Sequence, residues 1–222
     1  ISGVLLASCS DSFLNLTPRS NMNEEDFYKS KSDFETARVA VYATLYKEYA
    51  PEGGPSFTED LSDECLTHEG SAMVESTTGS NPDIYSFTNY SLESNNTIVD
   101  HIWTTSYSDL NILNKTLDKL VASTDFANTS TGLMYQGELH FLRALYNFNL
   151  VREFGPIPIV NHSLTVNESY KVLRPSEDSV YNFIIYDLKF AVSQLPLKSA
   201  ATQNGQITKG ATETCLGEVY LT

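Results

Sequence analysis

The chain has 222 residues, and its 28 acidic and 14 basic side chains give a formal net charge of −14. This charge repels phosphate backbones and anionic lipid headgroups, so it argues against nucleic acid as a partner and against membrane attachment through basic residues. The aromatic content of 11% is too high for a disordered acidic segment. No run of residues approaches the ~20 apolar residues that a membrane-spanning helix needs.

An apolar run that ends in small residues precedes the first cysteine. Residues 5–8 are two leucines, an alanine and a serine, and they lie directly before Cys9. Lipoprotein signal peptidase cuts such a pattern, and the cysteine is then acylated. We therefore predict that residues 1–8 are the remnant of a signal peptide and that residues 9–222 form one helical domain. The alternative is a buried thiol in a short apolar strand, because small-residue cleavage sites are loose patterns.

The first predicted helix begins near residue 32 and ends near Glu48. Ser32 and Glu35 have the spacing of a capping box, and apolar residues follow at helical intervals. Prolines and glycines at residues 51–55 end this helix. The polar stretch that follows, up to residue 97, shows no sustained period, and a loop of that length is usually functional.

Four more helices are predicted further along the chain. A helix over about residues 98–121 carries an apolar face that includes Trp103, and a helix from about residue 138 has apolar residues on two sides, which predicts an inner position. Gly155 and Pro156 end that inner helix. Ser176 is predicted to cap a fourth helix, which ends before Pro196, and a fifth follows through the last residues.

Three segments resemble the SusD/RagB family of surface glycan-binding lipoproteins. Residues 138–160 resemble its signature "FLRAL-Y-F-LV--FG--P-V", in which a helix, an arginine, a glycine stop and two prolines are in register. Trp103, Tyr107, Asn111 and Leu113 resemble the helix motif "W--Y--I--AN-VL", and Asn111 and Asn114 are alternatives for its asparagine. Residues 205–211 resemble "GR-TKGAA" at the start of a further helix.

The resemblance implies an all-α fold of antiparallel, tetratricopeptide-like helix pairs with long loops. Because family members are longer, it also implies that a C-terminal portion is missing here. Members are non-catalytic lipoproteins anchored at the cell surface in the outer membrane of Bacteroidota. They bind a glycan, in some cases a peptide, and pass it to a SusC-like TonB-dependent transporter.

A ligand site is predicted in the loop before the second helix, over residues 81–96. Aromatic rings stack on the faces of sugar rings, and amides hydrogen-bond their hydroxyl groups. The candidate ligand contacts are Tyr85, Phe87, Asn89, Tyr90 and Asn96. The alternating aromatic residues equally suit one face of a short strand or a loop packed on the helices, because loop aromatics more often pack than bind.

No motif predicts a catalytic residue, a metal site or a cofactor. The four histidines lack metal-ligand spacing, and His140 is interpreted as a packing or surface residue. The acidic cluster at residues 59–64 lacks the pattern of a calcium loop, so we interpret it as a solvated loop. Two alternative functions stay open, a helical-repeat adaptor that binds protein and a surface glycoside hydrolase. The hydrolase stays open because the distance between two catalytic carboxylates is a property of the tertiary structure.

Overall fold

The computed structural model describes residues 27–49, 83, 86–87, 90–200 and 205–222. Every regular element in these ranges is helical, which confirms the predicted all-α class. The elements are α1 (Lys31–Glu48), α2 (Thr97–Ala122), α3 (Ser130–Phe154), α4 (Val166–Ser169), α5 (Glu177–Gln194), a 3₁₀ turn (Lys198–Ala200) and α6 (Lys209–Leu221). Over these same ranges, no helix is both long and apolar enough to cross a membrane.

Helices α2 and α3 form an antiparallel pair. The ring of Trp103, near the start of α2, lies 5.0 Å from the ring of Phe154 at the end of α3. Further along α2, Asn114 accepts a hydrogen bond from Arg143 in the middle of α3. Gly132 lies against the turn between the helices, because a Cβ atom there would clash with the carbonyl oxygen of Phe126. The pair therefore depends on glycine at this position.

Helices α3 and α5 form a second antiparallel pair. Gly137 in α3 lies against Gln194 at the end of α5, and Phe148 lies against Tyr181 near its start. Helix α1 packs on α2 and α3, and α6 packs on α5. The arrangement agrees with the predicted antiparallel helix pairs.

Helix α3 is the inner helix of the array. Sixteen of its 25 residues are buried, and the largest of these side chains lie on more than one side of the helix. Tyr146, Phe148, Leu139, Leu142 and Leu150 are each at most 1% exposed. Burial of such side chains is the main favourable contribution to folding. The prediction of an inner helix is confirmed.

The helix ends agree with the predictions to different degrees. Ser176 caps α5 as predicted, and its hydroxyl accepts from the amide of Ser179. The predicted cap of α1 at Ser32 is wrong by two residues. Ser30 is the cap, because its hydroxyl accepts from the amide of Asp33 while the Asp33 carboxylate accepts from the amide of Ser30.

The end of α3 turns the chain into an extended segment, as predicted. Gly155 has φ +67° and ψ −139°, and its amide donates to the carbonyl of Val151. The chain then runs extended over residues 157–160, and Ile157 is completely buried against the helices. Helix α3 begins at Ser130, eight residues before residue 138, where the sequence predicted its start. Neither α4 nor the 3₁₀ turn was predicted from the sequence.

Candidate ligand-binding site

The structure describes three of the five residues predicted to contact ligand. Phe87 is 2% exposed and packs in a small apolar cluster, whereas the side chain of Tyr90 is 61% exposed. Asn96 is buried at 3% exposure. Tyr85 and Asn89 lie outside the described residues, as do Cys9 and the acidic cluster at 59–64. Among the described candidates, Tyr90 alone presents an accessible ring.

Asn96 caps α2 and anchors the preceding loop. Its Oδ1 accepts from the amides of Ile98 and Val99, and its Nδ2 donates to the carbonyl of Asp83 and to Oγ of Ser86. These bonds occupy the side-chain amide with protein partners. Asn immediately before a run of apolar residues is a known helix-start signal, so the sequence could have predicted this capping role.

A cleft of about 400 Å³ opens between α2, the extended segment after α3, and α4. This volume lies in the range of small-molecule sites. Its lining residues are Trp103, Tyr107, Asn111, Pro158, Val160, Leu164, Thr165, Val166, Ser169 and Val172. Seven of these ten are aliphatic or aromatic, and none of the ten is charged. The cleft therefore suits an uncharged ligand with an apolar surface.

Three residues of α2 line one side of the cleft. Trp103, Tyr107 and Asn111 are four residues apart, which places them along one face of the helix. The Trp103 and Tyr107 ring centroids are 4.8 Å apart, and the rings are tilted by 46°. Asn111 is exposed, and its side chain has no hydrogen-bond partner among the described residues. An aromatic surface thus adjoins an amide that is available to a ligand.

Hydrogen bonds from α2 hold the opposite wall. The Tyr107 hydroxyl donates to the carbonyl of Pro158 at 2.8 Å, and Asn114 Nδ2 donates to the carbonyl of Val160 at 2.9 Å. Burial raises the pKa of Tyr107 above its ordinary value, so the phenol stays protonated and keeps its donor. The extended segment is consequently fixed in place as a wall of the cleft.

A buried polar network supports this wall from behind. Arg143 donates to both carboxylate oxygens of Asp187, at 2.7 and 2.9 Å, and to the carbonyl of Asn161 at 2.9 Å. His140 Nδ1 lies 2.6 Å from Asp187. Burial opposes ionisation of Asp187, but hydrogen bonds from Arg143 and His140 outweigh it and lower the pKa of that carboxyl group.

This network was only partly predictable from the sequence. His140 was interpreted as a packing or surface residue, and its ring does pack 4.2 Å from that of Phe190. Its partnership with Arg143 and Asp187 was missed. Polar residues three apart on a helix predicted to be inner could have indicated a buried network, because buried charges are almost always paired.

No group of three His, Cys, Asp or Glu side chains in the described ranges could hold a metal ion.

Comparison with protein families decides the membership of the chain. A SusD-like family model, described as "Starch-binding associating with outer membrane", matches residues 12–221. The chain belongs to the SusD-like family.

Similar proteins agree with this membership. A SusD-like protein from Bacteroides ovatus is 26% identical over 229 residues, covering 98% of this chain and 37% of the relative. A crystal structure of a SusD-like protein from Bacteroides fragilis matches with a TM-score of 0.70 at 22% identity, covering 90% of this chain and 36% of that one. A laminarin-binding SusD-like protein matches with a TM-score of 0.67 at 25% identity, covering 87% and 40%. The chain thus spans about two fifths of the length of these relatives.

The residues that carry the resemblance meet around the cleft of this SusD-like chain. Trp103 of the α2 motif contacts Phe154 of the α3 signature, and Tyr107 donates to the carbonyl of Pro158. Side chains that are far apart in the sequence are therefore neighbours in the structure. The SusD-like motifs here shape the α2 side of the cleft and position its opposite wall.

Proposed function

We propose that this SusD-like protein binds an oligosaccharide or polysaccharide at the cell surface without cleaving it, and delivers it to a SusC-like TonB-dependent transporter of the outer membrane. The observation that carries the proposal is the match of residues 12–221 to a family described as starch-binding and associated with the outer membrane. The laminarin-binding relative supports a glycan as the ligand.

The proposed attachment to the outer membrane is a lipid on Cys9. Each buried methylene group of an acyl chain contributes about 0.8 kcal/mol, and more than one chain makes an anchor stable. Mass spectrometry of protein purified from the outer membrane should find acyl groups on Cys9. An unmodified Cys9 thiol in the mature protein would contradict the anchor.

The proposed ligand contacts divide into two groups by their surroundings. Tyr90 offers an exposed ring, and Tyr85 and Asn89 are close to it in the sequence. Phe87 and Asn96 act indirectly. Phe87 is buried in the apolar cluster, and Asn96 donates a hydrogen bond to the backbone carbonyl of Asp83. We therefore assign direct stacking on the sugar to Tyr90 in the first place, and support of the loop to Phe87 and Asn96.

Affinity electrophoresis of the full-length protein tests the function. Gels that contain starch, laminarin or another neutral polysaccharide should slow its migration. Tyr90→Ala should weaken binding roughly 3- to 10-fold, the loss expected for one aromatic contact. Tyr186→Ala is a matched control, because Tyr186 is 62% exposed on α5 and Tyr90 is 61% exposed.

The control should migrate like the wild type. If Tyr90→Ala does so too, Tyr90 does not contact the glycan. Release of new reducing ends during incubation with a retarding polysaccharide would indicate a hydrolase instead. Failure of every polysaccharide to slow the wild-type protein would overturn glycan binding itself.

A further inference from the structure

The two sides of the cleft differ in chemistry. The α2 side presents the rings of Trp103 and Tyr107, and the other side consists largely of branched aliphatic side chains. The aliphatic residues among them are Val160, Leu164, Val166 and Val172. A sugar ring stacks its C–H face on aromatic rings, whereas an aliphatic wall best accommodates a methyl group.

We propose that this cleft binds a neutral sugar unit that carries a methyl group, either a 6-deoxyhexose or an N-acetylated hexosamine. The proposal rests on the glycan-binding function proposed above, and it adds a second contact site to the loop that bears Tyr90. The sugar stacks on Trp103 and Tyr107, directs its methyl group at the aliphatic wall and hydrogen-bonds to Asn111 along its edge.

The supply of hydrogen-bonding groups favours a ring with few hydroxyls inside the cleft. Ser169 Oγ donates to the carbonyl of Val166, and Thr165 Oγ1 donates to the carboxylate of Glu168. Of the polar side-chain groups that line the cleft, the Asn111 amide and the Trp103 indole N–H have no hydrogen-bond partner among the described residues. A hydroxyl pressed against the aliphatic wall would lose water without replacement, which is unfavourable, whereas a methyl group there gains from burial.

The charge of the cleft selects a neutral sugar. None of its described lining residues is charged, and Arg174, the cation that acts electrostatically on Tyr107, is not part of the lining, so a uronate or sulfate group inside the cleft would have no cation among its walls. The net charge of −14 adds a general repulsion of anions. Acidic glycans therefore fit this site poorly.

The α2 side is fixed before any ligand arrives. Trp103 packs edge-on against Phe154, and the hydroxyl of Tyr107 is held by the carbonyl of Pro158. Side chains that are already ordered lose little conformational entropy on binding. The cleft is therefore suited to recognising a single small unit within a longer glycan.

Nuclear magnetic resonance of the full-length protein tests the proposal at Trp103, which is the only tryptophan in these 222 residues. Its indole N–H resonance is assigned by comparison with Trp103→Phe. Two matched pairs of probes are titrated, L-fucose against L-galactose and N-acetylglucosamine against N-formylglucosamine. The Trp103 resonance should shift, and the methyl-bearing sugar of each pair should half-saturate at about a fourfold lower concentration, the effect of one buried methyl group.

An exposed amide elsewhere provides the matched control. Asn111→Ala should weaken binding of the methyl-bearing sugar roughly 2- to 10-fold, the effect of one neutral hydrogen bond. Asn182→Ala changes an exposed asparagine on α5 and should leave binding unchanged.

Each remaining outcome overturns a defined part of the proposal. Equal half-saturating concentrations for the two sugars of each pair would refute the preference for a methyl group. A Trp103 resonance that does not shift with any of the sugars would refute the cleft as a sugar site. If polysaccharide gels still retard the protein in that case, the proposed function stands. A silent resonance together with unretarded migration would overturn both.

Discussion

Arg143 carries a buried positive charge near the cleft. It is 4% exposed, and its guanidinium donates to Asp187, to Asn114 and to the carbonyl of Asn161. A buried ion pair contributes little net stability, because desolvation offsets its attraction, but loss of one partner leaves an uncompensated charge. We therefore expect substitution here to cost far more than substitution of an exposed arginine.

Replacement of Arg143 by methionine tests this expectation. Arg143→Met should lower the free energy of unfolding by about 3–5 kcal/mol, because Asp187 stays buried without its cation. Arg152→Met is the control, since the Arg152 side chain is 44% exposed and lies 3.8 Å from Glu218. It should cost less than about 1 kcal/mol. Urea unfolding followed by far-ultraviolet circular dichroism measures both, and equal losses would contradict the enclosed-charge account.

At the scale of whole elements, local chemistry predicted the end of α3 but not its start. Gly155 and Pro156 stop a helix through their own backbone properties, which any sequence context preserves. The start at Ser130 includes Gly132, whose position depends on close approach to the carbonyl of Phe126. The cap of α1 was misplaced because Ser30 with Asp33 and Ser32 with Glu35 offer the same spacing in the sequence.

Two glycines in different backbone conformations should respond oppositely to the same substitution. Gly155 has φ +67° and ψ −139°, a region that is essentially restricted to glycine, so Gly155→Ala should lower the free energy of unfolding by about 1–3 kcal/mol. An added Cβ meets no neighbour there, so the loss reports backbone conformation alone. Gly217 lies inside α6 with equally open space, and Gly217→Ala should stabilise by roughly 0.5–1 kcal/mol.

Urea unfolding of the two variants beside the wild type gives both signs in one series. A stabilising Gly155→Ala would show that an L-residue accepts this turn, and would contradict the role assigned to Gly155. A destabilising Gly217→Ala would indicate that the open face of α6 is covered in the intact protein.

The candidate site was less predictable than the helices, because its members are distant in the sequence. Tyr107 and Pro158 are 51 residues apart, and no local pattern reports their contact. Within the loop before α2, the alternating aromatic residues did not indicate which of the rings is buried. Phe87 is buried with Ile98 and Ile102, whereas Tyr90 is 61% exposed.

At the scale of the whole molecule, α3 is joined to its neighbours on two sides by buried ion pairs. Arg38 of α1 lies 2.7 Å from Glu138, and Arg143 pairs with Asp187 of α5. Gln206 also donates to Glu138, which ties the segment before α6 to the same helix. Apolar packing alone permits helices to slide, and these paired charges fix α3 against α1 and α5. Acid should therefore loosen the array through the buried carboxylate of Asp187.

Asp187 gives this acid sensitivity a defined direction. Its pKa is lowered in the folded protein from an ordinary value of 3.8, so folding favours the ionised form. The stabilisation is fully present above the unfolded pKa and is lost as the pH falls through the lower folded pKa. Below about pH 5, the difference in unfolding free energy between the wild type and Asp187→Asn should shrink by up to about 1.4 kcal/mol per pH unit. Urea unfolding across this pH range measures the difference. The control is Asp125→Asn, in the exposed connection between α2 and α3, which should keep the acid dependence of the wild type. A difference that stays constant or widens under acid conditions would show that Asp187 is not held ionised by Arg143 and His140.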